Sequence, residues 1–292
     1  MQRSRIGLSL AFGGALALGL AFARPLQDQV TIKSEVVAGP VAVLFGEGGN
    51  IGVSSGPDGI LIVDDEFERL AKPIQAALDK LAKDPARTTP RFLVNTHHHG
   101  DHTDGNKHFG KSAVVVAHEN VRARLLDEKA PAQALPIVTY ADGISLHWNG
   151  EEIRLLHLPE CHTDGDTVVW FKNSGVIHLG DLYFQLGYPF IDTASCGNVL
   201  GLTEGLKRLM AELPEGIRII PGHGVVTGKK ELAEYLKMLE TITERVKPLL
   251  AADKDAKAMI ASGVTKDFDE RWGHFDFVPP EKFVQSVIDS LR

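Results

Sequence analysis

Residues 95–106 read NTHHHGDHTDGN and hold four histidines and two aspartates within a dozen positions. They follow the apolar run FLV at 92–94, which predicts a short buried strand. Residues two apart in an extended chain point to the same side, so His97 and His99 can face one metal ion. The pattern therefore predicts a metal site at the end of a strand.

A turn at Gly100 would bring two more candidate ligands to the same place. Glycine has no Cβ and accepts a sharp turn, so Asp101 and His102 can be carried round to a second ion beside the first. Imidazole and carboxylate ligands together suit zinc, and iron or manganese would also be accepted. A histidine-rich tract alone can be adventitious on a solvated loop, so the interpretation depends on ligands elsewhere in the chain.

Three later fragments supply such ligands, and each follows an apolar, strand-like run. They are PECHTDGD at 159–166 with His162, HLGD at 178–181 with Asp181, and PGHG at 221–224 with His223. Two tetrahedral sites need more ligands than residues 95–106 offer, and these three residues add to the number. Four fragments of this kind indicate a metal centre assembled from distant parts of the chain.

The order of the four fragments resembles the metallo-β-lactamase superfamily of metal-dependent hydrolases, from about Val36 to about Val226. The resemblance implies two metal ions, each held by three residues, with one carboxylate that bridges both. In this chain the first set would be His97, His99 and His162, the second Asp101, His102 and His223, and the bridge Asp181.

The same resemblance implies how such a centre would work. A hydroxide bound between two divalent ions, most simply Zn²⁺, would be the nucleophile, because metal coordination lowers the pKa of water towards neutrality. Asp101 would orient that nucleophile and then carry a proton to the leaving group. Asp101 is therefore the predicted catalytic residue as well as a predicted ligand.

Strand-like and helix-like segments alternate along the chain. Residues 30–65 contain short apolar runs separated by glycine-rich turns, which indicates an antiparallel start. One-sided apolar patterns predict helices near 67–83, 201–213 and 229–254. The expected fold is α/β, a four-layer αβ/βα sandwich of two mixed β-sheets flanked by helices, and the resemblance implies the same fold with the metals at one sheet edge.

A leader and one hydrolase domain are predicted. Residues 1–23 begin with two arginines, continue with an apolar run and end in AFA, which is the pattern of a cleaved secretory signal peptide. A retained membrane anchor is the alternative, although the apolar run is at the lower limit for spanning a bilayer. We expect residues 24–292 to be periplasmic or secreted, without stable membrane association. The tail, about 255–292, lies outside the resemblance.

The charge of the mature chain excludes one class of partner. The full sequence has a formal net charge of −7, and removal of residues 1–23 takes away two arginines and no acids, which gives −9. An acidic protein repels phosphate backbones, so nucleic acid is not an expected partner. A small molecule is the expected substrate.

Two neighbouring acids and two cysteines have expected places. Asp64 ends a strand where the resembling family has a buried aspartate that orients the ligands, whereas Asp65 is expected to cap the next helix. Cys161 and Cys196 could form a disulfide, and Cys161 could equally be a buried or a site-lining thiol.

Other residues near the predicted ligands are candidates for packing or for contact with substrate. In extended chain His98 points away from its neighbours, so it should pack or line the cleft rather than bind metal. The aromatic residues after Asp181, Tyr183, Phe184, Tyr188 and Phe190, could line a substrate pocket or belong to the core, as aromatic clusters more often do. The resemblance implies a substrate-facing position for Asn198.

The resemblance leaves the reaction open. The chain resembles zinc β-lactamases, but Asp181 stands where one class carries a cysteine ligand, and Phe184 stands where many carry a lysine that grips the substrate carboxylate. Residues 95–106 and the bridging aspartate also resemble the hydrolytic glyoxalases, which are thioesterases. The expected function is an exported dinuclear hydrolase of an amide, ester or lactone, β-lactams included. A thioesterase or lactonase is the alternative, and a non-catalytic metal-binding protein is disfavoured because no expected ligand is missing.

Overall fold

The computed structural model describes residues 30–292. The predicted signal peptide, residues 1–23, lies outside this range, so its cleavage stays a prediction. Within the described range no helix combines the length and the apolar character needed to cross a bilayer.

The first sheet has seven strands that lie side by side in chain order. They are β1 (Lys33–Ala38), β2 (Val41–Phe45), β3 (Ile51–Gly56), β4 (Gly59–Val63), β5 (Pro90–Val94), β6 (Val114–His118) and β7 (Val138–Tyr140). Strands β1 to β4 pair antiparallel, as the glycine-rich turns predict, and β4 to β7 pair parallel. The sheet is therefore mixed.

The second sheet has six strands, in the order β13-β12-β11-β10-β9-β8. They are β8 (Gly143–Trp148), β9 (Glu151–His157), β10 (Thr167–Phe171), β11 (Val176–His178), β12 (Arg218–Ile220) and β13 (Thr227–Gly228). Only β11 and β12 pair parallel, because α-helical chain connects them, and this sheet is mixed as well.

Helices cover the outer faces of both sheets. The described helices are α1 (Ala71–Leu81), α2 (Gly100–Thr103), α3 (Asn106–Phe109), α4 (Glu119–Asp127), α5 (Val199–Glu212), α6 (Lys229–Ala251), α7 (Ala256–Ala261), α8 (Lys266–Trp272) and α9 (Pro280–Ser290). The three helices that the apolar patterns predict correspond to α1, α5 and α6, with ends that differ by a few residues.

Three apolar clusters hold the layers together. Between the sheets, Val94 and Val116 of the first sheet pack in one cluster with Leu155 and Phe171 of the second. A second cluster joins the first sheet to α1, and a third joins the second sheet to α5, α6 and α9. Each fully buried aliphatic side chain contributes roughly 1.5–3 kcal/mol. The predicted four-layer αβ/βα sandwich is confirmed.

The tail after α6 is more ordered than its polar sequence indicates. Residues 255–273 form α7 and α8 instead of an irregular spacer. Met259, Trp272 and Phe283 of this region are buried in the same cluster as α5 and α6. The tail is thus packed onto the second sheet's outer layer, and it leads the chain back towards the predicted metal centre.

Candidate metal centre

Asp64 organises the histidine-rich turn from the end of β4. Its carboxylate is fully buried and accepts hydrogen bonds from the backbone N–H of Thr96 (2.8 Å) and from its hydroxyl (2.7 Å). The same carboxylate lies 2.7 Å from Nδ1 of His102, and the Thr96 hydroxyl lies 3.0 Å from Nδ1 of His97. In the neutral form of each ring these contacts hold the proton on Nδ1, which leaves Nε2 as the nitrogen that can bind a metal ion at the centre. Asp64 takes the orienting position that the resemblance implies.

The first predicted ligand group converges on one point. Nδ1 of His99 lies 3.1 Å from Nε2 of His97 and 3.0 Å from Nε2 of His162. The other nitrogen of His162 donates to the carbonyl of Phe190 at 2.7 Å. Zinc bound about 2.1 Å from each of two nitrogens at a tetrahedral angle would separate them by about 3.4 Å. The three nitrogens are therefore spaced as ligands of one ion would be.

The second predicted group lies beside the first. Nε2 of His223 is 3.2 Å from Oδ2 of Asp101 and 3.3 Å from Nε2 of His102. Asp101 and His102 belong to α2, the short helix that begins at Gly100, and His223 follows β12. A tight helical turn, rather than an open loop, therefore presents the two neighbouring ligands.

Asp181 lies between the two groups. Its Oδ1 is 3.2 Å from Nε2 of His102, and its Oδ2 is 3.7 Å from Nε2 of His162. Oδ1 is buried, and no donor among the described residues, His102 included, approaches it with the angles of a hydrogen bond. A Cβ on Gly222 would lie 2.0 Å from this oxygen, so only glycine leaves room for the carboxylate. One oxygen thus faces each group, as a bridging ligand requires.

Electrostatics at the centre favour bound cations. Burial lowers the pKa of His97 far below its usual value and that of His162 to about 4, so both rings are neutral, the form that binds metal. Burial opposes the charge on His102, but Asp181, Asp101 and Asp64 outweigh it and raise its pKa well above the usual value. Those carboxylates attract positive charge, which metal ions would supply in place of that proton.

Together the donor atoms fit two divalent cations. The structure brings all seven predicted side chains into overlapping groups whose ligand atoms lie within 4.8 Å of one another. Five imidazoles and two carboxylates match the preferences of zinc, iron or manganese. The role of each residue as a ligand, and the identity of the metal, stay predictions.

A cavity of about 570 Å³ opens beside this centre. Its lining residues are Glu47, Phe67, His99, Gly100, Asp101, Asp181, Phe184, Leu186, Phe190, His223, Phe275 and Phe277. Phe184 and Phe190 line it, whereas Tyr183 and Tyr188 are fully buried in the core. Two of these four aromatic residues therefore line the cavity, and the other two belong to the core.

Some sequence-based expectations are wrong. Asp65 caps no helix: it is fully buried, neither carboxylate oxygen has a hydrogen-bond partner within residues 30–292, and burial raises its pKa well above the usual value. Asn198 caps α5 instead of lining the cavity, since its side chain accepts hydrogen bonds from the N–H groups of Leu200 and Gly201. Of the alternatives left open for the cysteines, the structure shows the buried thiol: Cys161 and Cys196 are both free, the first buried and the second exposed.

Sequence reasoning missed two carboxylates that support the ligands. Asp192 lies 3.0 Å from Nε2 of His99, and Asp166 accepts the backbone N–H groups of His162 (2.7 Å) and Thr163 (2.8 Å). Asp166 is inside the fragment that contains His162, so its position was a usable signal. Asp192 is 93 residues from His99, and nothing local in the sequence relates them.

The neighbouring His98 is buried, as its predicted packing role requires. Its Nε2 is 3.4 Å from the hydroxyl of Ser195, and burial lowers its pKa to about 3. His98, His99 and Asp192 also form a possible donor group. However, Nε2 of His99 is already hydrogen-bonded to Asp192, so we assign this group to the support of the first ligand set.

Sequence comparison links the chain to one class of hydrolase. It is 30% identical over 156 residues to hydroxyacylglutathione hydrolase of Rhodospirillum rubrum, a match that covers 53% of this chain and 54% of the relative. It is 31% identical over 157 residues to hydroxyacylglutathione hydrolase of a Synechococcus species, covering 53% and 55%. The chain thus spans about half the length of these relatives. No protein-family model matches it.

Structural comparison identifies the fold. The DIM-1 metallo-β-lactamase superposes with a TM-score of 0.63 at 19% identity and covers 73% of this chain and 99% of its own. A metallo-β-lactamase from Pontibacter korlensis gives a TM-score of 0.61 at 17% identity, with 72% and 99% covered. The chain therefore has the metallo-β-lactamase fold, and in sequence it is similar to hydroxyacylglutathione hydrolases.

Proposed function

We propose that the chain is a dinuclear metal-dependent hydrolase of a small carbonyl compound, with an ester or thioester as the substrate class. The observation that carries this proposal is the position of Asp181, which turns one oxygen towards each of two convergent ligand groups. The sequence matches to hydroxyacylglutathione hydrolases support the thioester or ester class.

The chain's residues would divide the work as follows. His97, His99 and His162 would hold one cation, Asp101, His102 and His223 would hold the other, and Asp181 would serve as a ligand in both sets. When bound, the ions would supply an activated water nucleophile and polarise the substrate carbonyl. Water oxygen then bonds to the carbonyl carbon, the bond to the leaving alkoxide or thiolate breaks, and a proton passes to the leaving group.

Asp101 is the group that we assign to nucleophile positioning. Its side chain is 34% exposed and lines the cavity, so a water molecule can reach it. Burial opposes its ionisation, but His102 and His223 lower its pKa to about 2. Asp101 is therefore an ionised acceptor at neutral pH, able to orient a water proton and to pass that proton on.

A β-lactam substrate is less favoured than an ester or thioester. The carboxylate that such substrates carry needs a cationic partner, and Phe184 occupies the position where many of the lactamases have lysine. The cavity lining in the described part of the chain contains neither lysine nor arginine. We also propose, from the pattern of residues 1–23, that the protein is exported, which the intact mass of the periplasmic form would check.

The test combines metal analysis with a substrate panel. The purified protein is loaded separately with Zn²⁺, Fe²⁺ or Mn²⁺ and is assayed with a chromogenic cephalosporin, an acyl-glutathione thioester, a lactone and p-nitrophenyl esters. We expect two ions per chain and turnover of an ester or thioester. Asp181→Asn should lose about ten- to a hundredfold in affinity at the second site, because it removes a charged bridging oxygen.

Asp79→Asn, on the exposed face of α1, is the matched control and should bind both ions normally. One ion or fewer at saturation would contradict the proposed centre. Two ions without turnover of any substrate in the panel would favour a non-catalytic metal-binding protein. Asp181→Asn with two sites of wild-type affinity would exclude Asp181 as the bridge.

A further inference from the structure

The cavity beside the metal centre has an apolar outer wall. Six of its lining side chains are apolar: Phe67, Phe184, Leu186, Phe190, Phe275 and Phe277. Leu186 is 53% exposed and Phe277 is 57% exposed, and the two line the same cavity instead of lying singly on the surface. Exposed apolar surface costs free energy in water, so a wall of this kind indicates an apolar group that covers it.

The rings form a continuous surface that reaches both ligand groups. The ring centroids of Phe184 and Phe275 are 4.9 Å apart, and those of Phe190 and Phe277 are 5.4 Å apart. At the inner end, Phe184 lies 4.9 Å from the ring of His223, and Phe190 lies 5.8 Å from the ring of His99. A group that lies along these rings would hold its other end at the metal centre.

Charges around the cavity do not favour an anion on this wall. The charged lining residues other than histidine are three acids, Glu47, Asp101 and Asp181. Two cations lie nearby, and both already have partners. Arg69 pairs with Glu47, and the ammonium of Lys282 lies 3.9 Å from the ring centroid of Phe277 and 4.9 Å from that of Phe190 while it donates to the carbonyl of Phe277 at 3.0 Å. An anionic substituent would therefore lose hydration on the aromatic rings and would have to draw Lys282 away from its contacts with those rings.

We propose that the wall binds an uncharged, apolar acyl or aromatic group of the substrate, so that the preferred substrates are hydrophobic esters or thioesters. The cavity volume suits a ligand of medium size. This inference rests on the proposed function for the hydrolytic step, but the apolar wall is an observation independent of it. It assigns Phe275 and Phe277, from the tail of the chain, to substrate selection.

A chain-length series tests the inference. The metal-loaded protein is assayed with p-nitrophenyl acetate, butyrate and hexanoate, and with the adipate half-ester, which has the length of hexanoate and a terminal carboxylate. Full burial of one methylene corresponds to about a fourfold gain in kcat/KM, so partial to full burial predicts roughly 20- to 200-fold from acetate to hexanoate. The adipate half-ester should fall at least tenfold below hexanoate.

Two substitutions of Phe277 test the preference for chain length and the preference against charge separately. Phe277→Ala should reduce the ratio of hexanoate to acetate turnover, and Phe277→Lys should narrow the gap between hexanoate and the adipate half-ester. Leu126→Lys, at a 49% exposed leucine outside the cavity lining, is the control and should change neither ratio. Metal content and the melting temperature of each variant show whether it has folded.

A binding measurement separates this inference from the proposed function. Calorimetry with the uncharged ketones 2-butanone, 2-hexanone and 2-octanone reports on the wall without any hydrolysis, and affinity should rise with chain length. If no ester is hydrolysed but ketone affinity rises, the proposed function fails and the apolar subsite stands. Ketone affinity that is independent of chain length, or a wild-type preference for the adipate half-ester, would overturn the inference.

Discussion

His99 differs from its neighbours in the ring nitrogen that it turns to the metal centre. His97 and His162 face the centre with Nε2, whereas His99 faces it with Nδ1. A neutral imidazole carries one proton, so the group that binds the opposite nitrogen decides which one can bind metal. Asp192 binds Nε2 of His99, and this hydrogen bond holds the pKa of Asp192 well below its usual value. Asp192 is therefore a positioning residue.

We expect Asp192→Asn to weaken the first metal site by about ten- to a hundredfold, because the amide can no longer select the Nε2-protonated ring of His99. Competition with a chromophoric chelator measures the affinity, and ¹⁵N NMR of the His99 ring reports its tautomer. Asp289→Asn, on the surface of α9, is a suitable control and should leave both unchanged. An unaltered tautomer and affinity in Asp192→Asn would show that another group orients the ring.

At the scale of elements, a stacked pair of histidines joins the two sheets. His118 ends β6 of the first sheet, and His157 ends β9 of the second. Their ring centroids are 3.7 Å apart with the planes 14° from parallel. Burial lowers the pKa of His118, and the neighbouring His157 lowers it further; burial lowers the pKa of His157 as well. The contact therefore depends on both rings staying neutral.

The sign of the resulting pH dependence follows from linkage. In the unfolded chain each histidine takes up a proton below about pH 6.5, whereas the folded pair resists protonation, so stability falls as the pH drops below that value. His157→Phe keeps a stacking ring. We expect its melting temperature to fall less than that of the wild type when the pH is lowered from 8 to 5. Both proteins are measured with a chelator, so that metal release does not contribute.

His147→Phe, at an exposed position on β8, is the matched control and should follow the wild-type profile. If His157→Phe shows the same acid-induced loss of melting temperature as the wild type, the pair does not titrate with unfolding in this range.

At the scale of the whole molecule, the candidate centre lies where the two halves of the sandwich meet. His97 and Asp101 follow β5 of the first sheet, whereas His162, Asp181 and His223 follow strands of the second. Cations bound by residues from both sheets would cross-link the two halves of the sandwich and would bind only to the folded chain. Metal binding should therefore contribute to the stability of the entire fold.

We expect chelation to lower the melting temperature, and re-addition of metal to restore it in proportion to the logarithm of the free metal concentration. Free metal at a thousand times Kd would stabilise the fold by about 4 kcal/mol per site. Differential scanning calorimetry at several buffered metal concentrations measures the effect, with Mg²⁺ as the control ion. Equal melting temperatures with and without bound metal would contradict the cross-link.

Much of the centre was readable from sequence because its signals are local. Four of the seven predicted ligands lie within residues 97–102, where alternation in the extended chain and the short helix α2 decide which side chains point together. His162, Asp181 and His223 each follow an apolar run that ends in a polar fragment. The antiparallel start and the helices α1, α5 and α6 likewise follow from short-range apolar patterns.

Only the tertiary structure decided which distant residues meet. Asp65 has the local pattern of a helix cap, yet the fold buries it. Asp192 reaches His99 across 93 residues, and Phe275 and Phe277 return from the tail to line the cavity. These contacts depend on sheet order and on how the outer helices pack, and no local pattern encodes them. A side chain's chemistry is thus local, whereas its neighbours across the core are set by the packing of the whole chain.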